Sequence, residues 1–250
     1  MKKIILITFV LSLFISCENP QECIESTGAI ITKEVPVETF NRLDVQKGIE
    51  VVITDGTEYK VVIQTGENLM ENIQVTQIGT TIILRDNTTC NWVRDFGQTK
   101  VYITTPTLYE IYSKTEGNIS SNGVLSYPDL RVIAYDTNAD GLEGAGTGDF
   151  HLNVNCTNLE INSNNVARFY LSGTVSNEAR LNFYAGDSRI EAQNLVAEKI
   201  IVFNRGSNDM IVHPIQSITG KLVSTGNVIL TSIPPIIDVE QLYQGQLIYN

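Results

Sequence analysis

Residues that commonly build catalytic and metal sites are scarce in this chain. Its 250 residues include only two histidines, four cysteines and one tryptophan. No two cysteines have the spacing of a tetrahedral zinc site, and neither histidine accompanies a nucleophile turn such as Gly-x-Ser-x-Gly. The sequence therefore presents no catalytic constellation, and we expect a protein without enzymatic activity, cofactor or metal ion.

Charged residues are also few, and most of them are acidic. They make up 18% of the chain, and the formal net charge is −11. A surface of this sign repels polyanions, so nucleic acid is not an expected partner. Asn, Thr, Ser, Gly, Val and Ile are instead plentiful, which favours strands and turns over helices. We therefore expect an all-β protein.

The amino terminus has the pattern of a secretory signal. Two lysines precede an apolar run over residues 4–15, which is too short to span a bilayer. The segment that ends at Cys17, Leu-Phe-Ile-Ser-Cys, resembles the lipobox of bacterial lipoproteins, in which the cysteine becomes lipid-modified. It predicts a signal peptide over residues 1–16 and a lipid anchor on Cys17 that attaches the protein to a membrane of the cell envelope. An ordinary signal peptide with a chance cysteine is the alternative.

A polar tether and one folded domain are expected after the anchor. The tether covers residues 17–30, and residues 31–250 form a single predicted domain. With Cys17 lipidated, an odd number of thiols remains, so at most one disulfide forms among the other cysteines, which are Cys23, Cys90 and Cys156.

Alternation of apolar and polar residues predicts strands from Phe40 onward. Strands over residues 49–53 and 59–63 flank Asp55-Gly56, a turn signal that predicts a β-hairpin. The further elements predicted here are a helical turn over residues 67–72, a hairpin over residues 73–78 and 81–84 around Gly79-Thr80, and a strand over residues 100–104.

The second half of the chain repeats itself at a constant interval. Gly186, Gly206 and Gly226 are equally spaced, and each is followed four positions later by a large apolar residue, namely Ile190, Met210 and Leu230. A period of about 20 residues is typical of stacked units that are each too small to bury their own apolar face. It predicts a β-solenoid, clearest over residues 108–230, with the three apolar residues in line and the three glycines at corners.

Corners of this solenoid are expected to carry glycine or asparagine, because both tolerate left-handed backbone angles. Asn164-Asn165 takes the corner position in a coil that lacks glycine. The residues that lead successive coils are evenly spaced except for Leu130 and Leu159, which lie further apart. This longer interval predicts an inserted loop, which we place at residues 141–148 because they include four glycines.

Acidic residues near these corners suggest two further sites. Asp136, Asn138 and Asp140 match the first half of a calcium loop, but Thr147 replaces the bidentate glutamate, so we expect no calcium site. Solenoid enzymes that cleave polysaccharides gather carboxylates from neighbouring coils. Acidic corners also favour solubility and turns, which we prefer, and no catalytic pair is assigned among Asp140, Glu143, Asp149, Asp187 and Asp209.

Aromatic residues cluster before and within the first coils, with Trp92, Tyr109 and Tyr112 as the leading examples. Exposed rings suit contacts with sugars or proteins. An open end of a solenoid also needs a cap, since its terminal layer otherwise exposes apolar core. We prefer the cap and keep an interaction surface at these three residues as the alternative.

The order of the motifs resembles one known family. A lipobox is followed by Leu43-Asp44-Val45, Gly48-Ile49-Glu50-Val51 and, further on, residues 100–106. This order resembles the putative auto-transporter adhesin, head GIN domain family of Bacteroidetes-type envelope proteins. The family's glycine-rich corners have counterparts at residues 146–149, 186–188 and 206–209. The resemblance implies a right-handed parallel β-helix with irregular β-hairpins at its amino-terminal end, and it implies no verified activity.

The preferred functional hypothesis is an adhesin-like, lipid-anchored envelope protein that presents a non-enzymatic β scaffold to a glycan or protein ligand. The anchor places it at the outer membrane, on the periplasmic or the surface face. One alternative is a solenoid that binds or processes carbohydrate. Another is a structural envelope protein that forms homo-oligomers through the edges of its strand stack.

Overall fold

The computed structural model describes residues 24–88, 90, 97–136 and 144–249, and these form an all-β fold, as predicted. No α-helix occurs in these ranges, and a short 3₁₀ helix covers Met70–Asn72, within the predicted helical turn. The strands are β1 (Ile30–Val35), β2 (Arg42–Val45), β3 (Glu50–Asp55), β4 (Lys60–Gly66), β5 (Ile73–Ile78), β6 (Thr81–Asp86), β7 (Lys100–Thr105), β8 (Glu110–Ser113), β9 (Ile119–Leu125), β10 (Asp129–Ala134), β11 (Phe150–Ser163), β12 (Arg168–Phe183), β13 (Arg189–Asn204), β14 (Met210–Leu222), β15 (Val228–Leu230), β16 (Ile236–Gln241) and β17 (Leu247–Tyr249).

All of these strands except β1, β4 and β5 form two rows that share one apolar core. Row A contains β6, β2, β8, β10, the second parts of β11 to β14, and β16. Row B contains β7, β3, β9, the first parts of β11 to β14, β15 and β17. All neighbours within each row pair in parallel, and the inward side chains of both rows belong to one buried cluster.

The inward column of row B shows parallel strands stacked on one another, and it corrects part of the predicted alignment. Ile190 pairs with Met210, as expected, and both are fully buried. Met210 then pairs with Val228, whereas Leu230 pairs with Val212. The predicted alignment of Leu230 with Met210 is therefore wrong. The pairing of β13 with β14 shifts in register, because β13 contains more residues than β14 over the same part of the row. The stretch of chain from Met210 to its next partner, Val228, is therefore shorter than the stretch from Ile190 to Met210.

The inserted loop lies where the sequence places it. Asp129 in β10 pairs with Asn158 in β11, whereas Arg131 in β10 pairs with Glu110 in β8 after a shorter stretch of chain. The additional residues therefore come between β10 and β11. Part of the insertion, residues 137–143, lies outside the described residues.

The three corner glycines stack on one another, although only one has the predicted backbone angle. The amide of Ser207 donates to the carbonyl of Gly186, and the amide of Gly226 donates to Gly206 at 3.1 Å. Gly186 has a φ of 80°, whereas Gly206 and Gly226 lie outside the left-handed region. Close approach explains the third glycine, since a Cβ at Gly226 would lie 2.2 Å from the carbonyl oxygen of Asn208.

Asparagine acts at the corners through its side chain, and the predicted left-handed backbone is wrong. Within the described residues, no residue other than glycine has a positive φ. Asn165 donates from Nδ2 to the carbonyls of Ala145 and Gly146. Asn204 is fully buried, and its Oδ1 accepts a hydrogen bond from the amide of Gly206 at 2.9 Å. These side chains satisfy backbone groups that a corner removes from the strand ladder.

The amino-terminal part contains one of the two predicted hairpins. β5 and β6 pair antiparallel around Gly79, which has a φ of 58°. The hairpin predicted around Asp55-Gly56 is wrong, because β7 lies between β3 and β4 and pairs with both. A local turn signal could not reveal a third strand that comes from much further along the chain.

The cysteines in the described ranges have different states. Cys90 is disulfide-bonded. Cys156 is a free thiol in the core. Burial raises the pKa of Cys156 to about 12.

Candidate functional site

Outward-facing side chains of row A form a ladder of alternating charge. In register across five strands are Arg42, Glu110, Arg131, Glu160 and Arg180. Arg131 lies 3.3 Å from Glu110 and 3.4 Å from Glu160, measured between guanidinium nitrogens and carboxylate oxygens. Opposite charges on neighbouring strands thus neutralise one another along the row.

A groove beside this ladder, the Tyr109 groove, has a volume of about 580 Å³ and is lined by Tyr109, Asp129, Arg131, Asn158, Glu160 and Arg180 among others. The Tyr109 ring is 42% exposed, and the Arg42 guanidinium lies 5.8 Å from its centroid. The polar side chains bond to one another, as in the 2.7 Å hydrogen bond from Asn158 to Asp129. The groove consequently leaves few hydrogen-bonding groups free for a ligand.

Aromatic residues also follow row A. Tyr135 lies edge-on to Tyr112 at 6.3 Å and to Tyr184 at 6.2 Å between ring centroids. Burial raises the pKa of Tyr135 to about 12. Tyr112 is half-buried and lies in β8, and Tyr109 directly precedes this strand. β8 pairs with β2 on one side and with β10 on the other. These two residues therefore cover the flank of the stack and do not cap its end.

A second groove, the bulge groove, lies on row B and has a volume of about 430 Å³. Two columns of outward-facing residues line it. His151, Tyr170 and Glu191 are in register on β11, β12 and β13. Asn153, Ser172 and Asn194 form the next column on the same strands. Each column thus presents one side chain per strand, at the strand spacing of about 4.8 Å.

His151, Tyr170 and Glu191 form the ring column, which has a defined geometry. The rings of His151 and Tyr170 stack with centroids 4.6 Å apart and planes 8° from parallel. Next to them, Oε1 of Glu191 accepts a hydrogen bond from Nε of Arg189. This bond and the neighbouring charge of Glu191 raise the pKa of Arg189, so its cation persists and neutralises the carboxylate.

Asn153, Ser172 and Asn194 form the amide column, which differs from the polar lining of the Tyr109 groove, where the side chains bond to one another. The side chains of Asn153, Ser172, Gln193 and Asn194 line the groove without a side-chain hydrogen bond to the described part of the chain. An amide offers two donors and one carbonyl acceptor, and a hydroxyl can act in both ways. The bulge groove therefore offers a concentrated set of free, uncharged hydrogen-bonding groups.

Several predicted site residues take no part in either groove. Asp136 is exposed, and its amide donates to Oδ1 of Asn164 at 2.7 Å. The other calcium-loop candidates, the lipidation site and the predicted surface tryptophan lie outside the described residues; they are Asn138, Asp140, Cys17 and Trp92. Among the residues that the structure describes, no three His, Cys, Asp or Glu side chains are placed to hold a metal ion.

The remaining predicted positions are corner residues. Asp187 accepts a hydrogen bond from Ser207, and Asp209 lies 3.3 Å from Arg189. These contacts fix the corners, which agrees with the structural interpretation of the acidic residues. Within the described ranges, no helix has the length and apolar character needed to cross a bilayer.

The sequence reasoning missed the bulge groove. The residues of its amide column are unequally spaced along the chain, and neither spacing equals that of the corner glycines. Polar residues on strand faces are common, so their type gives no signal. Only the pairing of β11, β12 and β13 brings the columns together.

Stacked parallel strands, corner glycines and buried asparagines characterise this all-β fold. The chain belongs to the family described as putative auto-transporter adhesin, head GIN domain, whose model matches residues 39–234. The resemblance stated from the motifs is thereby confirmed. No curated protein matches the sequence.

Solved structures of Bacteroidetes proteins share this fold. A putative adhesin from Bacteroides fragilis is similar with a TM-score of 0.78 and 22% identity, covering 90% of this chain and 100% of its own. A putative adhesin from Parabacteroides distasonis has a TM-score of 0.68 and 13% identity, with 90% and 100% covered. A putative lipid binding protein from the same species has a TM-score of 0.63 and 14% identity, with 90% and 99% covered.

Proposed function

We propose that this protein is an adhesin-like, non-enzymatic protein of the cell envelope that binds a ligand on the flank of its strand stack. The observation that carries the proposal is the bulge groove, where uncharged polar side chains face outward on three paired strands and make no side-chain hydrogen bond to the residues that the structure describes. Neighbouring strands on both sides hold these side chains in place, so little ordering is needed on binding. The parallel pairing of successive coils supports a right-handed parallel β-helix as the scaffold.

The absence of catalysis is supported by the acidic residues of the groove. Glycoside hydrolysis generally needs two carboxylates across the scissile bond. Among the described residues that line the bulge groove, Glu191 is the only carboxylate, and it is paired with Arg189. In the Tyr109 groove, Glu160 lies within ion-pair distance of Arg131, and Glu178 pairs with Arg180. A binding role fits these occupied carboxylates better than hydrolysis or other processing of polysaccharide.

The envelope location rests on the amino terminus together with the family. We propose cleavage after residue 16, lipidation of Cys17 and a tether up to residue 30, close to the start of β1 at Ile30. Acyl chains on one cysteine hold a folded domain at a membrane surface without a spanning helix. Metabolic labelling with a fatty acid should mark the wild-type protein and leave the Cys17→Ala variant unmarked, and equal labelling of both would contradict the anchor.

Binding to whole cells tests the adhesin-like function. The full chain carrying Cys17→Ser, which removes the lipid, is expected to bind saturably to bacterial or host cells, and purified polysaccharides should remain uncleaved after incubation. Release of oligosaccharides from a polysaccharide would favour the enzymatic alternative. If the protein bound saturably to none of the cell types and to none of the polysaccharides, the proposal would be refuted.

Self-association is a second candidate function, favoured by the last strands of the stack. β16 and β17 each pair on one side within the described residues. Six of the exposed large apolar side chains lie in this region, namely Ile233, Ile236, Leu242, Tyr243, Ile248 and Tyr249. Unpaired edges with apolar side chains favour pairing with another copy. Sedimentation should then reveal a dimer that Ile236→Lys dissociates, and a monomer at high protein concentration would exclude this function.

A further inference from the structure

We infer that the bulge groove binds a neutral saccharide, which deepens the proposed function and rests on its binding role. The site consists of the ring column His151, Tyr170 and Glu191, and of the amide column Asn153, Ser172 and Asn194.

The backbone makes room for the groove by repeated loss of register. The pairing of β11 with β9 shifts between His151 and Asn153, and that of β12 with β13 shifts between Tyr170 and Ser172. A further shift follows Glu191 in β13. The extra residues lie in β9 and β13, on either side of β11 and β12, which pair with each other in register here. Bulges recur next to functional sites because they re-aim side chains.

A glycine in β12 fixes the backbone beside the amide column. Gly173 has a φ of 106°, and a Cβ there would lie 2.0 Å from the carbonyl oxygen of Val154. The same Cβ would lie 2.8 Å from Oδ1 of Asn153, in the amide column. A larger residue would therefore push the column away from its position, so the backbone and the polar lining are coupled.

The free side chains match the hydrogen-bonding pattern of a sugar. Each sugar hydroxyl both donates and accepts, and the amides of Asn153, Gln193 and Asn194 provide both kinds of group. The column spans two strand intervals, or about 10 Å, which suits a short oligosaccharide lying along the stack. The rings of His151 and Tyr170 add an apolar border against which the C–H groups of a sugar can pack.

The charge and burial of the groove argue against other small ligands. The described residues that line the groove include no lysine or arginine, and the adjacent Arg189 is paired with Glu191, so these residues offer an anionic sugar no unpaired Lys or Arg. An acyl chain needs an accessible apolar channel, but Leu152 and Leu171 between the two columns are only 2% and 3% exposed. A neutral, hydroxyl-rich ligand fits the remaining surface.

A glycan array followed by calorimetry tests the inference, using the full chain with Cys17→Ser. The array contains neutral, sulfated and uronic-acid oligosaccharides, and the best ligand is titrated into each variant. Gln193→Ala combined with Asn194→Ala removes two exposed side chains, and Gln216→Ala, an exposed amide of β14 away from the groove, is the matched control. We expect neutral glycans to bind, the double variant to bind about tenfold more weakly, and the control to bind as the parent does.

Each other outcome separates the inference from the proposed function. Binding of acidic glycans alone would refute the ligand class. An unchanged affinity in the double variant would refute the groove, while the binding function would stand. Cell binding without any glycan binding would refute the inference alone, and loss of both would refute the proposed function as well. Circular dichroism of the double variant confirms that its fold is intact.

Discussion

Replacement of Gly226 by alanine tests the close packing of the corners. The new Cβ would lie 2.2 Å from the carbonyl oxygen of Asn208 and 2.7 Å from Nδ2 of Asn204. Both distances are far shorter than ordinary van der Waals contact, and one of the two atoms belongs to the backbone. The corner must therefore move, and the hydrogen bond from Asn204 to Asn208, 3.2 Å long, lies directly in its way.

The expected cost combines two effects. Overpacking of a rigid site costs about 1–3 kcal/mol, and loss of one buried hydrogen bond adds about 1 kcal/mol. Gly226→Ala should therefore lower the free energy of unfolding by about 3 kcal/mol. For a chain of this length that corresponds to a fall in Tm of roughly 6–12 °C.

Alanine substitutions at two other glycines separate the effect of close packing from that of backbone strain. At Gly206 the nearest atoms lie 3.3 Å from the new Cβ and φ is not left-handed, so alanine should cost less than about 1 kcal/mol. At Gly79 the space is open but φ is 58°, so alanine should cost about 1–2 kcal/mol through backbone strain alone. Urea unfolding followed by circular dichroism measures all three variants. Equal stability of Gly226→Ala and Gly206→Ala would refute the packing argument.

Three further predictions concern buried polar groups. Ser113 is fully buried and its hydroxyl has no partner in the described residues, whereas Ser163 in the same column bonds to Ser188 at 2.7 Å. Urea titration should show that Ser113→Ala leaves stability unchanged or raises it, and that Ser163→Ala lowers it by about 1–3 kcal/mol. The reverse order would contradict this reasoning. Asn204→Ala leaves corner amides and carbonyls unpaired, so it should lower stability by about 2–4 kcal/mol in the same assay, and a loss below that of Ser163→Ala would argue against the asparagine corner. The pKa of Cys156 is raised by burial to about 12, so its thiolate is scarce in the folded protein at pH 8 and peptide mapping should find it alkylated by iodoacetamide only after unfolding. Because the thiol of the unfolded protein ionises near its ordinary pKa, the free energy of unfolding should also fall as the pH rises from about 9 towards 12. Alkylation of Cys156 in the native protein at pH 8 would exclude its burial.

Features that depend on local conformational preference could be predicted from the amino-acid sequence. Alternating residues specify strands, Gly79 supplies the left-handed angle of its hairpin, and the long interval between Leu130 and Leu159 locates the insertion between β10 and β11. Each of these effects acts within a short stretch of chain, so a linear pattern records it. The stacking of Gly186, Gly206 and Gly226 could be recognised for the same reason, although close approach and not φ accounts for Gly226.

Which residues meet across strands depends on long-range packing and could not be predicted from the sequence. A local turn signal at Asp55-Gly56 gives no information on β7, which separates the two flanking strands. The alignment of Val228 instead of Leu230 depends on how many residues the preceding coil takes through its corner. Asn153, Ser172 and Asn194 likewise become one surface through pairing and bulges, because side-chain periodicity fixes the face of a strand but leaves its register to long-range packing.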